Sequence, residues 1–136
     1  MTITYLIIGL ASGVLFGVLD GVIHANPLAQ KLMAVYQPIA RTSVNAIAGI
    51  LIDLTFGFVM AGLFVILYAG LPGATGLLKG ISFALIAWFF RVVMYAASQW
   101  VMFNVPAQAL LYSVGAGLGE MLILGVFYGL TLKPAL

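Results

Sequence analysis

Residues 3–23 read ITYLIIGLASGVLFGVLDGVI, a run with a single charged side chain, Asp20, close to its far end. Wound as an α-helix at 1.5 Å per residue, it is about 30 Å long, the thickness of a bilayer's hydrocarbon core. No Lys or Arg precedes Lys31, so the cationic start of a secretory signal is missing and the run is expected to be a retained membrane helix.

The rest of the chain follows the same pattern. Of 136 residues, 65% are apolar and 6% charged, and the mean hydropathy is +1.25. Soluble domains carry about 25% charged residues, and a small water-soluble globule leaves too much surface wet to hide this many apolar side chains. Three more windows exceed the roughly 20 residues a span requires, at about 44–68, 77–103 and 107–130. The expected fold is all-α: a four-transmembrane-helix bundle forming one membrane domain over residues 1–136. Between the first two spans, PLAQKLMAVYQ (27–37) reads as a short interfacial helix, opened by Pro27 and ended before Pro38. Ala69-Gly70-Leu71-Pro72-Gly73 and Asn104-Val105-Pro106 are the remaining turns. Tyr5, Tyr36, Tyr68, Trp100, Tyr112 and Tyr128 fall near expected span ends and read as an interfacial belt.

Orientation has little to rest on. Lys31 and Arg41 lie in the first connection, against Lys79 and Lys133 on the other side, so the positive-inside rule has almost no asymmetry to act on. A partner or insertion order can fix the topology; dual insertion as an antiparallel dimer is the sharper alternative. Small multidrug transporters also have four helices, but their first helix carries a signature glutamate, where this chain has Asp20 near the far end.

Helix packing in lipid depends on close backbone approach at small residues. Gly9, Gly13, Gly17 and Gly21 are spaced by four and share one face of the first span. Ser113, Gly117, Gly125 and Gly129 form a looser stripe in the fourth, broken by Met121, and Asn45, Gly49, Asp53, Gly57 and Ala61 another in the second. These faces are expected to seat helices within the chain or between copies.

The charged residues inside the spans carry the functional argument. Counted from the side bearing the 24–43 and 104–106 connections, Asp53 lies about ten residues in, Arg91 about twelve and Glu120 about thirteen, at a depth of roughly 15–20 Å. A midplane charge costs about 2.5–3.5 kcal/mol on insertion, and such residues normally face the protein interior and pair. A guanidinium fork can serve two carboxylates, so an Asp53–Arg91–Glu120 cluster is expected, with Tyr95 and Ser98 completing its hydrogen bonds. Two carboxylates against one guanidinium leave an excess negative charge in low dielectric, where a proton can be shared or exchanged. The plainer reading is a structural pin that fixes how the helices dock. Asp20 and His24, one turn apart, form a separate pair near the interface.

Other chemistry finds no support. One histidine cannot supply bis-histidine haem ligation, and a His24 and Met33 ligand pair is weak. Potential metal ligands sit at different depths; GLASGVLFG lacks the lysine of a phosphate loop; and no serine has a base at a telling spacing. Trimeric glutathione-linked membrane enzymes have four helices and a similar length, but their Arg-rich second-helix motif has no counterpart beyond Arg41 and Asn45. No catalytic residue, metal or cofactor is expected, and no basic cluster suggests nucleic acid.

A multi-pass integral membrane protein is therefore expected, with the bilayer and either copies of itself or a larger membrane complex as partners. The residues favour a non-catalytic accessory, assembly or scaffold subunit. The alternative is a small proton- or cation-coupled transporter or channel using Asp53 and Glu120 as protonatable sites.

Overall fold

The computed structural model describes residues 2–134. Among the described residues the chain is helical throughout, with no strand. Helix α1 spans Thr2–Ala25, the short α2 spans Pro27–Leu32, and a 3₁₀ segment covers Ala34–Ile39. Helix α3 spans Ala46–Leu67 and tightens into a 3₁₀ turn over Tyr68–Gly70. The third crossing is one rod of three pieces: α4 over Gly76–Trp88, a π-helical turn over Phe89–Val93, and α5 over Met94–Met102. Helix α6 spans Ala107–Thr131. Four helical rods, at Thr2–Ala25, Ala46–Gly70, Gly76–Met102 and Ala107–Thr131, are long and apolar enough to cross a bilayer.

Local chemistry sets the ends. Asn26 caps α2, its Oδ1 accepting from Ala29 N at 2.8 Å with Pro27 in the first turn. Asn45 caps α3 in the same way, accepting from Ala48 N at 3.0 Å, and so leaves the small-residue stripe it was expected to join. The Thr75 hydroxyl accepts from Leu78 N at 3.3 Å and starts α4. Just before it, Gly73 has φ +123°, a conformation open to glycine at little cost. The interfacial segment expected over 27–37 is α-helical only to Leu32, and Pro38 lies inside the 3₁₀ turn instead of following the helix. Proline lacks only the N–H donor and stays tolerable where so few helical bonds are made.

The rods associate as two hairpins. Helix α1 packs along α3, α4 packs along α6, and the hairpins meet chiefly where α1 runs beside α6. Each hairpin is sealed at glycine. A Cβ added to Gly57 would run into the backbone of Gly13 and Gly9, and one on Gly13 would lie 2.7 Å from Leu54 Cα. In the second hairpin Gly80 opposes Gly125, and Gly76 opposes Gly129, each leaving no room for a Cβ on the other. The α1 stripe is therefore only partly a seam. Gly9 and Gly13 pack on α3, Gly17 faces the Asp53 side chain, and Gly21 has open space beside it.

One half of the hairpin junction is apolar. Phe64, Phe83 and Tyr128 contact one another in stacked and edge-on pairs with centroids 5.4–6.2 Å apart, and Phe16, Met60, Met121 and Leu124 complete the core. Tyr128, assigned to the interfacial belt by its position, is fully buried here. Its hydroxyl lies 3.4 Å from Gly57 O, while Ser12 donates to Gly9 O and Gly57 O at 2.9 and 3.2 Å. The other half of the junction is polar.

Candidate functional site

Arg91 lies within the π-helical turn Phe89–Val93, a geometry that widens the helix by one residue and recurs at functional positions. Its guanidinium carbon sits 4.9 Å from the ring centroids of both Phe16 and Phe56. Those two rings stack on each other at 4.1 Å, joining α1 to α3. On its other side, Arg91 Nη1 reaches Glu120 Oε2 at 3.4 Å. The contact is single and long, where a forked guanidinium–carboxylate pair makes two bonds near 2.8 Å.

Glu120 is 4% exposed. Its second oxygen, Oε1, is buried and has no hydrogen-bond partner among the described residues. An acceptor left without a donor away from water is costly, more so when it belongs to a charged group. In this structure that atom belongs to a residue lining a cavity of about 220 Å³. Arg91 and Tyr95 line it from the third crossing, and Tyr112, Ser113 and Glu120 from α6. Asp20 and His24 line it from α1, with Met33 beside them just after α2.

The cavity therefore runs from Glu120 to the end of the bundle where α1 stops and α6 begins. Its mouth carries Asp20 and His24, whose side chains are 42% and 61% exposed. His24 Nδ1 lies 3.3 Å from Asp20 Oδ1 and 2.9 Å from Asp20 O. Beside them a polar knot ties the hairpins. Asn26 Nδ2 donates to Val22 O, Ile23 O and Tyr112 Oη, each at 2.9 Å, and the Tyr112 hydroxyl donates to Ile23 O at 2.6 Å. Deeper in, Trp88 Nε1 donates to Val114 O at 2.9 Å and holds the third crossing against α6 next to the π turn.

Of the three residues expected to cluster, the fold brings Arg91 and Glu120 together and sends Asp53 elsewhere. Among the described residues Asp53 has no salt bridge or hydrogen bond to Arg91. It lines a shallow, mostly apolar groove of about 280 Å³ with Gly13, Gly17 and Ile50. A Cβ on Gly17 would sit 2.8 Å from its Oδ2. The cause is rotation about the helix axis: the tight α1–α3 seam turns Asp53 onto Gly17, while Phe56, three residues on, meets the guanidinium. Ser98 is also outside the site, exposed and donating to Met94 O of its own helix at 3.0 Å. Tyr95 lines the cavity.

Asp20 and His24, read from sequence as a separate pair, share the cavity with Arg91 and Glu120. Counting along the helices separates them, because Asp20 and His24 stand near the end of α1 while Arg91 and Glu120 stand midway along their rods. Tyr112 and Ser113 carried no signal that distinguished them from belt and packing residues. Among the described residues no three His, Asp or Glu side chains converge closely enough to hold a metal ion. What the site offers is one buried oxygen acceptor lacking a donor among the described residues, held beside a cation on a residue that lines the cavity. An unpartnered carboxylate oxygen is chemically suited to a proton, a small cation or an N–H donor. No family model, curated protein or solved structure matches this chain.

Proposed function

We propose that this chain is a small proton- or cation-coupled membrane transport protein whose working group is the Glu120 carboxylate. One observation carries the reading: Glu120, which lines the vestibule, keeps its Oε1 buried without a partner among the described residues. A carboxylate kept only as a docking pin would have both oxygens satisfied, since a half-satisfied buried network is costly. The aromatic and aliphatic core around Tyr128 shares no residue with the vestibule lining, an arrangement that suits access from a single side. Two compact hairpins meeting at a looser junction suit the rocking of one unit against the other that transporters use. Asp53, outside the vestibule, has no part in this mechanism.

The test is flux into liposomes holding the purified protein and an internal pH dye, with a membrane potential imposed. The wild-type protein is expected to carry protons or monovalent cations. Glu120→Gln, which keeps the shape and removes the negative charge, is expected to abolish the flux, and Asp53→Asn to leave it intact. Flux that survives Glu120→Gln would remove the mechanism.

A second reading, a non-catalytic accessory or scaffold subunit, draws on glycines that nothing among the described residues covers. Gly21, Gly49, Gly115 and Gly119 have no atom within 4 Å of an added Cβ, which leaves small-residue faces free for another helix. Under that reading the protein leaves the membrane in mild detergent with partners or as an oligomer, and its liposomes carry no flux.

A further inference from the structure

The charges around the vestibule point to a more specific ligand than the transport reading, on which this inference rests. Facing the cavity are Asp20 and His24 from α1, Arg91 and Tyr95 from the third crossing, and Tyr112 and Glu120 from α6; Met33, beside α2, adds no charge, and Asp53 of α3, set against Gly17 of α1, lines a separate groove. With His24 neutral, two carboxylates oppose one guanidinium and one negative charge stands uncompensated. With His24 protonated, its Nδ1 lying 3.3 Å from Asp20 Oδ1, the set is neutral. At its Glu120 end, where the carboxylate is 4% exposed, the cavity favours the neutral set, because an unbalanced charge there is costly.

We propose that the vestibule binds one small monovalent cation in exchange for the proton of His24. The balance is simple. The imidazolium gives its proton to water at the mouth, a single positive charge enters, and the cavity's total is unchanged. The orphan atom is an acceptor, Glu120 Oε1, which calls for a positive or N–H-donating ligand and not an anion. One surplus negative charge matches a monovalent ion, and about 220 Å³ admits an alkali ion with a few waters or a methylammonium. Tyr95, Tyr112 and Ser113 supply further oxygens on the wall. His24 is the single histidine of the chain, so the exchanging group is open to a clean test.

The purified protein in nanodiscs of zwitterionic lipid, weakly buffered with a pH dye, is titrated with sodium, potassium or methylammonium chloride, and binding is followed in parallel by calorimetry. N-methylglucamine chloride, too bulky for the cavity, serves as control. About one proton is expected to leave per cation bound, with apparent affinity weakening about tenfold for each pH unit below the His24 titration. Release with sodium or potassium alone identifies an alkali site, and release with methylammonium an ammonium-type site; both support the proposal.

Two variants bracket the role of His24, which is exposed enough for either to fold. His24→Gln, always neutral, is expected to bind the cation with no proton release and no pH dependence. His24→Lys, always positive, is expected not to bind at any pH. Proton release that persists in His24→Gln overturns the proposal, since a carboxylate is then the exchanging group. Liposome flux in the wild type without proton release on cation addition also overturns it, and leaves the transport reading standing. Liposomes with no flux remove the transport reading instead, and cation binding with proton release would still uphold the exchange site.

Discussion

Arg91 touches two aromatic rings and one carboxylate oxygen, and each contact holds a different property of the guanidinium. The planar group lies near Phe16 and Phe56 at 4.9 Å, a contact that the compact ammonium of lysine reproduces poorly. Arg91→Lys keeps the charge near Glu120 and is expected to lower unfolding free energy by about 1 kcal/mol through the lost stacking. Arg91→Ala goes further, because it leaves the Glu120 carboxylate, 4% exposed, with no cation beside it. Removing one member of a fully buried pair costs about 3 kcal/mol; with the Arg91 side chain 36% exposed a smaller loss is expected here, and neutralising Glu120 relieves most of it. Unfolding by denaturing detergent is expected to place the double variant Arg91→Ala/Glu120→Gln above Arg91→Ala alone. A double variant no more stable than the single one would show that the two side chains are not coupled.

At the scale of the helix, glycines of identical spacing do different work. Gly57, Gly80 and Gly125 face backbone of the neighbouring helix, with no space for a methyl group. Gly21 and Gly49 have nothing near them. Alanine at Gly80 or Gly125 is expected to prise α4 from α6 and lower the melting temperature in detergent by several degrees. Alanine at Gly21 or Gly49 is expected to be neutral, or to stabilise by up to about 1 kcal/mol through helix propensity. Loss of oligomer or of a bound partner in Gly49→Ala, with the melting temperature unchanged, would favour the scaffold reading. The π turn belongs to this scale as well. The extra residue it accommodates breaks the regular spacing that would place Tyr95 and Ser98 together behind Arg91, and Ser98 points outward.

For the whole molecule, two glycine-sealed hairpins enclose a junction that is polar at one end and apolar at the other. Water is expected to reach Ser113 on the vestibule wall and not Phe83 or Leu124 in the core. The chain contains no cysteine, so single cysteines report access without background. In sealed vesicles of uniform orientation, Ser113→Cys is expected to react with a membrane-impermeant thiol reagent from one side, and Leu124→Cys from neither. Equal labelling of both would mean that the apolar half does not close the site.

The sequence by itself determined that this is an all-helical chain with four apolar rods, because length and hydropathy are properties of each segment and the bilayer reads them one at a time. It also put Asp53, Arg91 and Glu120 at one depth, since depth follows from counting residues along straight helices, and of these the structure pairs Arg91 with Glu120. Which way each helix faces was left to the tertiary structure. Asp53 has the right depth, yet the α1–α3 seam rotates it away from Arg91, and Asp20 and His24 enter the site because α1 runs beside α6. In lipid little hydrophobic drive sets a helix's rotation. The close backbone approach of Gly57 to Gly13 and of Gly80 to Gly125 settles it, and a stripe of small residues does not say which helix will fill it.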